Sequence, residues 1–207
     1  MTTATINEFS TQTTTKAPDR IMPQKVGSAL WAPMFAMSLV GFAVGFVLAI
    51  IKANLIATGG DPLDIAAVSQ YQPAAMFFGF TSVFAAISFA IAKILGEFRV
   101  GGGSVQEAAN TDVKTLRMPT TAKVFIGIMA MAMMIILAAV VLHVVAGVSI
   151  AGGGISALQV EQWTIWLEAA RRFGVQLYLF SILLGLASII QVIRYQSFRI
   201  RQVAETP

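Results

Sequence analysis

Four apolar stretches, each about twenty residues long, constrain this chain more than any other feature of its sequence. They lie at roughly residues 30–51, 73–95, 124–145 and 173–193, and none of them contains Asp or Glu. About twenty helical residues at 1.5 Å each cross a hydrocarbon core of about 30 Å. Only 12% of the residues are charged and 57% are hydrophobic, which excludes an ordinary soluble domain. The sequence therefore predicts an all-α fold, a bundle of four transmembrane helices.

The basic residues predict how this bundle is oriented. An even number of spans places both termini, and the loop between the second and third spans, on one side of the membrane. That side holds every Lys and Arg except Lys52, Arg171 and Arg172. Because basic residues accumulate on the cytoplasmic side, we expect both termini in the cytoplasm. The expected location is a plasma membrane, the inner membrane if the source is bacterial.

The spans divide the chain into five segments. They are a Thr-rich cytoplasmic tail (1–28), a transmembrane hairpin (29–96), a cytoplasmic loop (97–122), a second hairpin (123–195) and a short cytoplasmic tail (196–207). The Thr-rich tail has a composition typical of disorder. Pro73 suits the N-terminus of the second helix, and the Gly-Gly-Gly runs at 101–103 and 152–154 predict flexible loops, since they lack the Lys-Ser/Thr of a phosphate-binding loop.

Short motifs recur between the two halves of the chain. Met22-Pro23 and Met118-Pro119 precede the first and third spans, and Phe98-Arg99 and Phe198-Arg199 follow the second and fourth. A duplicated hairpin would explain both pairs, with the halves related by an axis along the membrane normal. Coincidence would also explain them, because Pro and Arg are common at membrane boundaries. The sequence leaves both explanations open.

Small residues spaced four apart mark possible helix-packing faces on three spans. These positions are Gly41 and Gly45 on the first span, Ser82, Ala86 and Ala90 on the second, and Ser181 and Gly185 on the fourth. Small side chains let helix backbones approach closely in lipid. We predict that these faces pack either within the bundle or against other subunits.

The third span combines a methionine cluster with the only histidine of the chain. Met129, Met131, Met133 and Met134 precede His143, and thioether and imidazole groups are both copper ligands. However, His143 lies at least about 13 Å beyond the methionines along one helix. We therefore predict no metal site in this chain alone, with methionines as packing residues and His143 hydrogen-bonded near the outer interface. A metal site that His143 shares with another subunit stays open.

The segment before the fourth span has the pattern of an amphipathic helix. Val160, Trp163, Leu167 and Ala170 recur at spacings of three and four, with Glu161, Glu168 and Arg172 on the opposite face. Glu168 stands four residues before Arg172, the favourable order for an ion pair. We predict an outer helix lying in the membrane interface and anchored by Trp163 and Trp166. The alternative is that Trp163, Trp166, Glu168 and Arg172 form a docking surface for a partner.

Several functions are excluded by residue types that the chain lacks. With no Cys and one His, it has no disulfide, no thiolate metal site and no bis-histidine haem. The spans carry no carboxylate, which argues against proton-coupled transport. No basic and aromatic stripe accompanies the positive charge, so nucleic acid is not an expected partner.

These exclusions favour a structural role in a larger assembly. We expect a non-catalytic accessory subunit of a multisubunit membrane complex, with an energy-converting or oxidising enzyme as a candidate complex. The expected partners are membrane lipids and unlike integral-membrane subunits, and any cofactor would belong to those other subunits. The alternative is a homo-oligomeric channel or carrier for a small neutral solute.

Overall fold

Four long helices account for most of the computed structural model, which describes residues 11–14, 19–108, 113–116 and 118–205. In chain order the elements are β1 (Thr11–Thr14), α1 (Met22–Ala57), α2 (Pro62–Ala108), β2 (Val113–Leu116), α3 (Thr120–Ala151) and α4 (Ala157–Glu205). All four helices are long and apolar enough to cross a membrane. The predicted number of long apolar helices, and with it the helical multi-pass architecture, is confirmed.

Each helix extends beyond the apolar stretch that predicted it. α2 has 47 residues and α4 has 49, so each is about 70 Å long, more than twice the thickness of the hydrocarbon core. α1 begins inside the predicted Thr-rich tail, α2 continues into the predicted cytoplasmic loop, and α4 continues into the predicted C-terminal tail. Hydropathy marks only the membrane-crossing part of a helix, and the hydrogen-bonded turns continue beyond it.

The start of α2 differs from the prediction. Pro73 lies inside the helix, which begins at Pro62. The Asp61 Oδ1 accepts a hydrogen bond from the Leu63 N–H at 2.9 Å. Asp61 is therefore the N-cap and Pro62 takes the first helical position, where a missing N–H costs nothing.

The two Gly-Gly-Gly runs adopt different structures. Residues 152–154 form the turn between α3 and α4, as predicted, but residues 101–103 lie inside α2. The prediction of a loop at 101–103 is wrong. Glycine costs about 1 kcal/mol relative to alanine inside a helix, so packing must hold this part of α2 helical. Gly103 and Gln106 are both buried.

The turns of the two hairpins share one geometry. Gly59 and Gly153 have φ values of 68° and 66°, which glycine adopts without steric cost. The next residues, Gly60 and Gly154, donate N–H hydrogen bonds to the carbonyl oxygens of Leu55 and Ser149 at 2.8 and 2.9 Å. Each turn is thus a Schellman motif that closes the preceding helix.

The segment predicted to form a helix before the fourth span is the first part of α4. The Ser156 N–H donates to Gln159 Oε1 at 2.9 Å, and the Gln159 N–H donates back to Ser156 Oγ at 3.4 Å, which is a capping box. From there α4 runs continuously to Glu205. The segment is helical as predicted, but it continues into the fourth span instead of forming a separate helix.

β1 and β2 form a two-stranded antiparallel pair, with Thr11 opposite Leu116 and Thr14 opposite Val113. β1 belongs to the Thr-rich tail, where composition predicts disorder; residues 1–10 and 15–18 of that tail lie outside the described residues. Backbone pairing with β2 orders residues 11–14, because main-chain hydrogen bonds do not depend on the apolar side chains that this tail lacks. Val113, the first residue of β2, is buried.

The helices contribute to two compact units. The terminal unit comprises residues 1–31, 87–127 and 181–207, and the turn unit comprises residues 32–86 and 128–180. In the turn unit, buried positions on α3 and α4 alternate at spacings of three and four: Ala132, Ile136, Ala139, His143, Ala146 and Ile150 on α3, and Leu167, Arg171, Gly174 and Tyr178 on α4. In the terminal unit the same spacing recurs on α4 at Ser181, Gly185, Ser188, Val192 and Tyr195. This 3.5-residue repeat is that of a left-handed helical bundle.

Within the turn unit, α2 and α4 run parallel and contact each other at every seventh residue. Gln70 contacts Thr164, Phe77 contacts Arg171 and Phe84 contacts Tyr178. Each partner lies 94 residues further along the chain. The two helices therefore keep one register over three contacts, or about 21 Å at the helical rise.

Candidate functional site

A chain of hydrogen bonds links three helices inside the turn unit. His143 Nδ1 of α3 lies 2.8 Å from Gln70 Oε1 of α2, and Gln70 Nε2 donates to Thr164 Oγ1 of α4 at 3.0 Å. The Thr164 hydroxyl donates to the Val160 carbonyl oxygen at 2.8 Å. We call these residues the glutamine–histidine chain. The His143 Nδ1–H, one N–H of the Gln70 amide and the Thr164 hydroxyl each have an acceptor, so these hydrogen bonds fix the relative positions of the three helices.

The glutamine–histidine chain also determines which nitrogen of His143 carries the proton. Because the Gln70 amide oxygen can only accept, the neutral imidazole donates through Nδ1. Its Nε2 is then a buried acceptor that has no hydrogen-bond partner among the described residues. His143 is 1% exposed. The sequence predicted a hydrogen-bonded histidine; it did not indicate Gln70 as the partner.

The methionines that precede His143 on α3 face different surroundings. Met129 and Met133 pack against the core formed by Ala132, Ile136 and Tyr178, whereas Met131 and Met134 are 46% and 70% exposed. Four thioethers on opposite sides of one helix do not converge on a single point. Among the described residues, no group of three or more His, Cys, Asp or Glu side chains could hold a metal ion.

Arg171 lies one heptad beyond Thr164 on the same face of α4. It is 9% exposed, and its guanidinium carbon lies 4.2 Å from the centre of the Phe77 ring. Within the described residues, its Nε and Nη1 have no hydrogen-bond partner. Stacking on an aromatic ring contributes about 2 kcal/mol when both groups are desolvated. Sequence reasoning treated Arg171 only as a loop charge, although its spacing from Leu167 and Tyr178 places it on the buried face.

The predicted glycines of the first span lie where α1 meets α2 in the turn unit. A Cβ at Gly41 would lie 2.7 Å from the Gly79 nitrogen, and one at Gly45 would lie 2.6 Å from Met76 Sδ. Real Cβ atoms do not approach backbone this closely, so Gly41 allows a contact that no larger residue would permit.

The other predicted packing positions lie on α2 and α4. Ser82 and Ala86 of α2 and Ser181 of α4 are buried, and Ala90 is half-buried. In the terminal unit, a Cβ at Gly185 would lie 3.0 Å from Ile91 and 3.2 Å from Phe125. The predicted positions on α1 and α4 therefore make close helix contacts within this chain.

The first turns of α4 bury a face rotated slightly from the one that the sequence indicated. Leu167 is buried and Val160 and Ala170 are half-buried, as the pattern predicts, but Arg171 is also buried, whereas Trp163 is 38% and Trp166 is 77% exposed. Glu168 and Arg172 form the predicted ion pair. On the side of α4 opposite the buried face, five exposed apolar residues on either side of Gln162 form what we call the exposed stripe: Leu158, Ile165, Trp166, Ala169 and Phe173.

A cavity of about 200 Å³ lies in the terminal unit, with all four helices contributing to its lining. Its apolar wall includes Ala92, Leu95, Ala122, Phe125 and Val192, and its polar lining is Gln24, Arg99, Tyr195 and Gln196. Both predicted Met-Pro motifs reach it, through Pro23, Met118 and Pro119. Sequence reasoning did not predict this cavity, although the recurring motifs mark part of its lining.

Comparison with known proteins gives no relative for this chain: no family model matches it, and neither the curated proteins nor the solved structures include a significant match. Its function is therefore inferred from the contacts, burial and charge of the described residues.

Proposed function

We propose that this chain is a non-catalytic accessory subunit of a multisubunit membrane complex, with both termini in the cytoplasm. The complex would be an energy-converting or oxidising enzyme of a plasma membrane, the inner membrane in a bacterium. Its cofactors would be held by the unlike subunits. The exposed stripe of α4 is the observation that supports this proposal.

Charged neighbours separate the exposed stripe, apart from Phe173, from the hydrocarbon. Glu161 is exposed, and the side chain of Arg172 is 75% exposed. Exposed charges are expensive inside a bilayer, so the hydrocarbon begins beyond Arg172. Leu158 lies about 22 Å before Phe173 along the helix axis, and it is 65% exposed. If α4 stands upright in the membrane, lipid tails do not reach an apolar side chain that lies so far outside the hydrocarbon.

An apolar stripe outside the hydrocarbon is better covered by protein. Exposed apolar side chains grouped on a folded surface mark interaction sites. Tryptophan is enriched among the interface residues that contribute most of the binding free energy. An interfacial helix, the other prediction for this segment, would have to turn into the membrane plane, whereas α4 is continuous through this region. We therefore favour a partner subunit with a domain outside the membrane.

The interior of the turn unit also favours a structural role over a transport role. Tyr178 and Ile136 are among the largest fully buried side chains of the described residues. Large side chains fill the space between helices, and the glutamine–histidine chain connects polar groups to each other instead of lining a water-filled path. A homo-oligomeric channel or carrier would have to conduct between copies of the chain.

Native mass spectrometry of the complex, extracted gently from its own membrane, tests the proposal. We expect unlike subunits in fixed stoichiometry. Trp166→Ser should release those subunits, because it removes the most exposed aromatic residue of the stripe. Glu161→Ser is the matched control on the same segment and should leave the complex intact. A homo-oligomer without other chains would refute the accessory role and make solute flux in proteoliposomes the next measurement.

A further inference from the structure

The cavity of the terminal unit combines an apolar interior with a cationic side chain. Its interior is lined by residues of the predicted spans, such as Ala92 and Val192, and Arg99 and Gln196 lie just beyond the predicted span ends. The cavity therefore extends across the boundary between the hydrocarbon and the polar head groups. A ligand that fits it would have an apolar part and a polar end.

Within the described part of the chain, no carboxylate pairs with Arg99. Its Nη1 donates to the Asp19 carbonyl oxygen at 3.2 Å. The neighbouring acid, Glu97, is already paired with Arg20 at 2.7 Å. The remaining guanidinium N–H groups are suited to a carboxylate or phosphate oxygen.

Other groups around the cavity also favour an anion. Gln24 is 7% exposed, and its Oε1 accepts the Ile21 N–H at 3.1 Å, which leaves the amide group as a donor. α1 and α3 both start beside the cavity, at Met22 and Thr120. Helix N-termini carry partial positive charge, which adds to the charge of Arg99.

We infer that this cavity binds an anionic amphiphile, with its acidic head group on Arg99 and its hydrocarbon in the apolar interior. An apolar cavity of about 150 Å³ takes up a molecule as large as benzene. The present cavity, at about 200 Å³, holds a short segment of hydrocarbon next to the head group. The head group is either the phosphate of an acidic phospholipid or the carboxylate of a free fatty acid.

Native mass spectrometry of the full chain in neutral detergent tests this inference. The protein is incubated with equal amounts of phosphatidylglycerol and phosphatidylcholine, and in a second arm with oleate. We expect one retained anionic molecule per chain, either phosphatidylglycerol in preference to phosphatidylcholine or oleate. Retention of phosphatidylglycerol identifies a phospholipid ligand, and retention of oleate alone identifies a fatty acid. Retention of neither overturns the inference.

Two kinds of variant separate specific binding from general attraction to a basic surface. Arg99→Gln should lower anion retention about tenfold, the effect of losing one charged hydrogen-bonded contact. Arg194→Gln is the matched control. Arg194 is exposed on the part of α4 that borders the cavity, but it does not line the cavity. Equal losses from both variants would refute a specific site.

Filling the cavity should abolish binding while keeping the charge. Ala122→Leu and Val192→Phe each add bulk to the lining, and thermal unfolding shows which of them folds. A photoactivatable fatty acyl probe gives a readout on the unmodified chain, because crosslinks should map to the segments around Leu95, Phe125 and Val192. Crosslinks confined to other segments would contradict the inference. A failure of the lipid inference would leave the proposed accessory role unaffected, because that role rests on the exposed stripe.

Discussion

At the scale of single residues, His143 shows how one polar side chain can organise a membrane bundle. The side chain is buried and reaches Gln70 on a second helix, which in turn reaches Thr164 on a third. Removing one member leaves its partner buried without a hydrogen bond, which costs about 1 to 3 kcal/mol. The glutamine–histidine chain therefore restricts the relative rotation of α2, α3 and α4.

We predict an energetic coupling of about 1 kcal/mol between Gln70 and His143, within the range measured for hydrogen bonds between transmembrane helices. A double-mutant cycle with Gln70→Ala and His143→Ala, read by equilibrium unfolding in mixed micelles, measures it. Additive effects of the two substitutions would show that the hydrogen bond contributes nothing to stability.

His143→Ala should also leave the metal content of the purified assembly unchanged. Element analysis of the complex before and after the substitution provides the measurement. Loss of a stoichiometric metal would mean that His143 Nε2 ligates an ion together with another subunit.

At the scale of helices, close packing of α1 on α2 depends on glycine. The Gly41 backbone approaches the backbone of Gly79, and neither can move without shifting a helix. Elsewhere glycine is not required: Gly127 in α3 has nothing within 4 Å of the position that a Cβ would take. Gly41 and Gly127 thus form a matched pair of helical glycines, one in close contact and one in open space.

We expect Gly41→Ala to destabilise the chain by about 1 to 3 kcal/mol, the usual cost of overpacking. Gly127→Ala should instead stabilise it by about 0.5 to 1 kcal/mol through helix propensity. Unfolding of both variants under identical conditions tests this difference in sign. If Gly41→Ala were as stable as the unmodified chain, α1 would not pack on α2 as described.

Gly45→Leu should weaken the same α1–α2 contact, because the leucine would meet Met76.

At the scale of the whole molecule, the two hairpins share more than the short motifs at their ends. Both close with a Schellman turn, at Gly59 and at Gly153. These glycines are 94 residues apart, and the same separation relates the α2 and α4 contacts of the turn unit. A duplicated hairpin and two unrelated hairpins packed side by side both bring α2 and α4 to the same level, and Met-Pro and Phe-Arg recur after 96 and 100 residues instead of 94.

The strand pair connects the Thr-rich tail to the loop between α2 and α3. Deleting residues 1–14 should increase hydrogen exchange at residues 113–116, because β2 loses its partner. Deleting only residues 1–10 keeps β1 and should preserve the protection. Unchanged exchange at 113–116 in the longer deletion would show that β1 does not hold this loop.

The sequence by itself determined the four apolar helices and the small-residue faces of α1 and α4. Hydropathy and residue size are local properties, so they can be read without knowing which helices are neighbours. Only the tertiary structure decided that Gln70 would meet His143, that α4 would bury Arg171, and that α2 would stay helical through residues 101–103. These outcomes, like the cavity beside Arg99, depend on which side chains distant parts of the chain bring together, and packing between helices then outweighs the local preference of each residue.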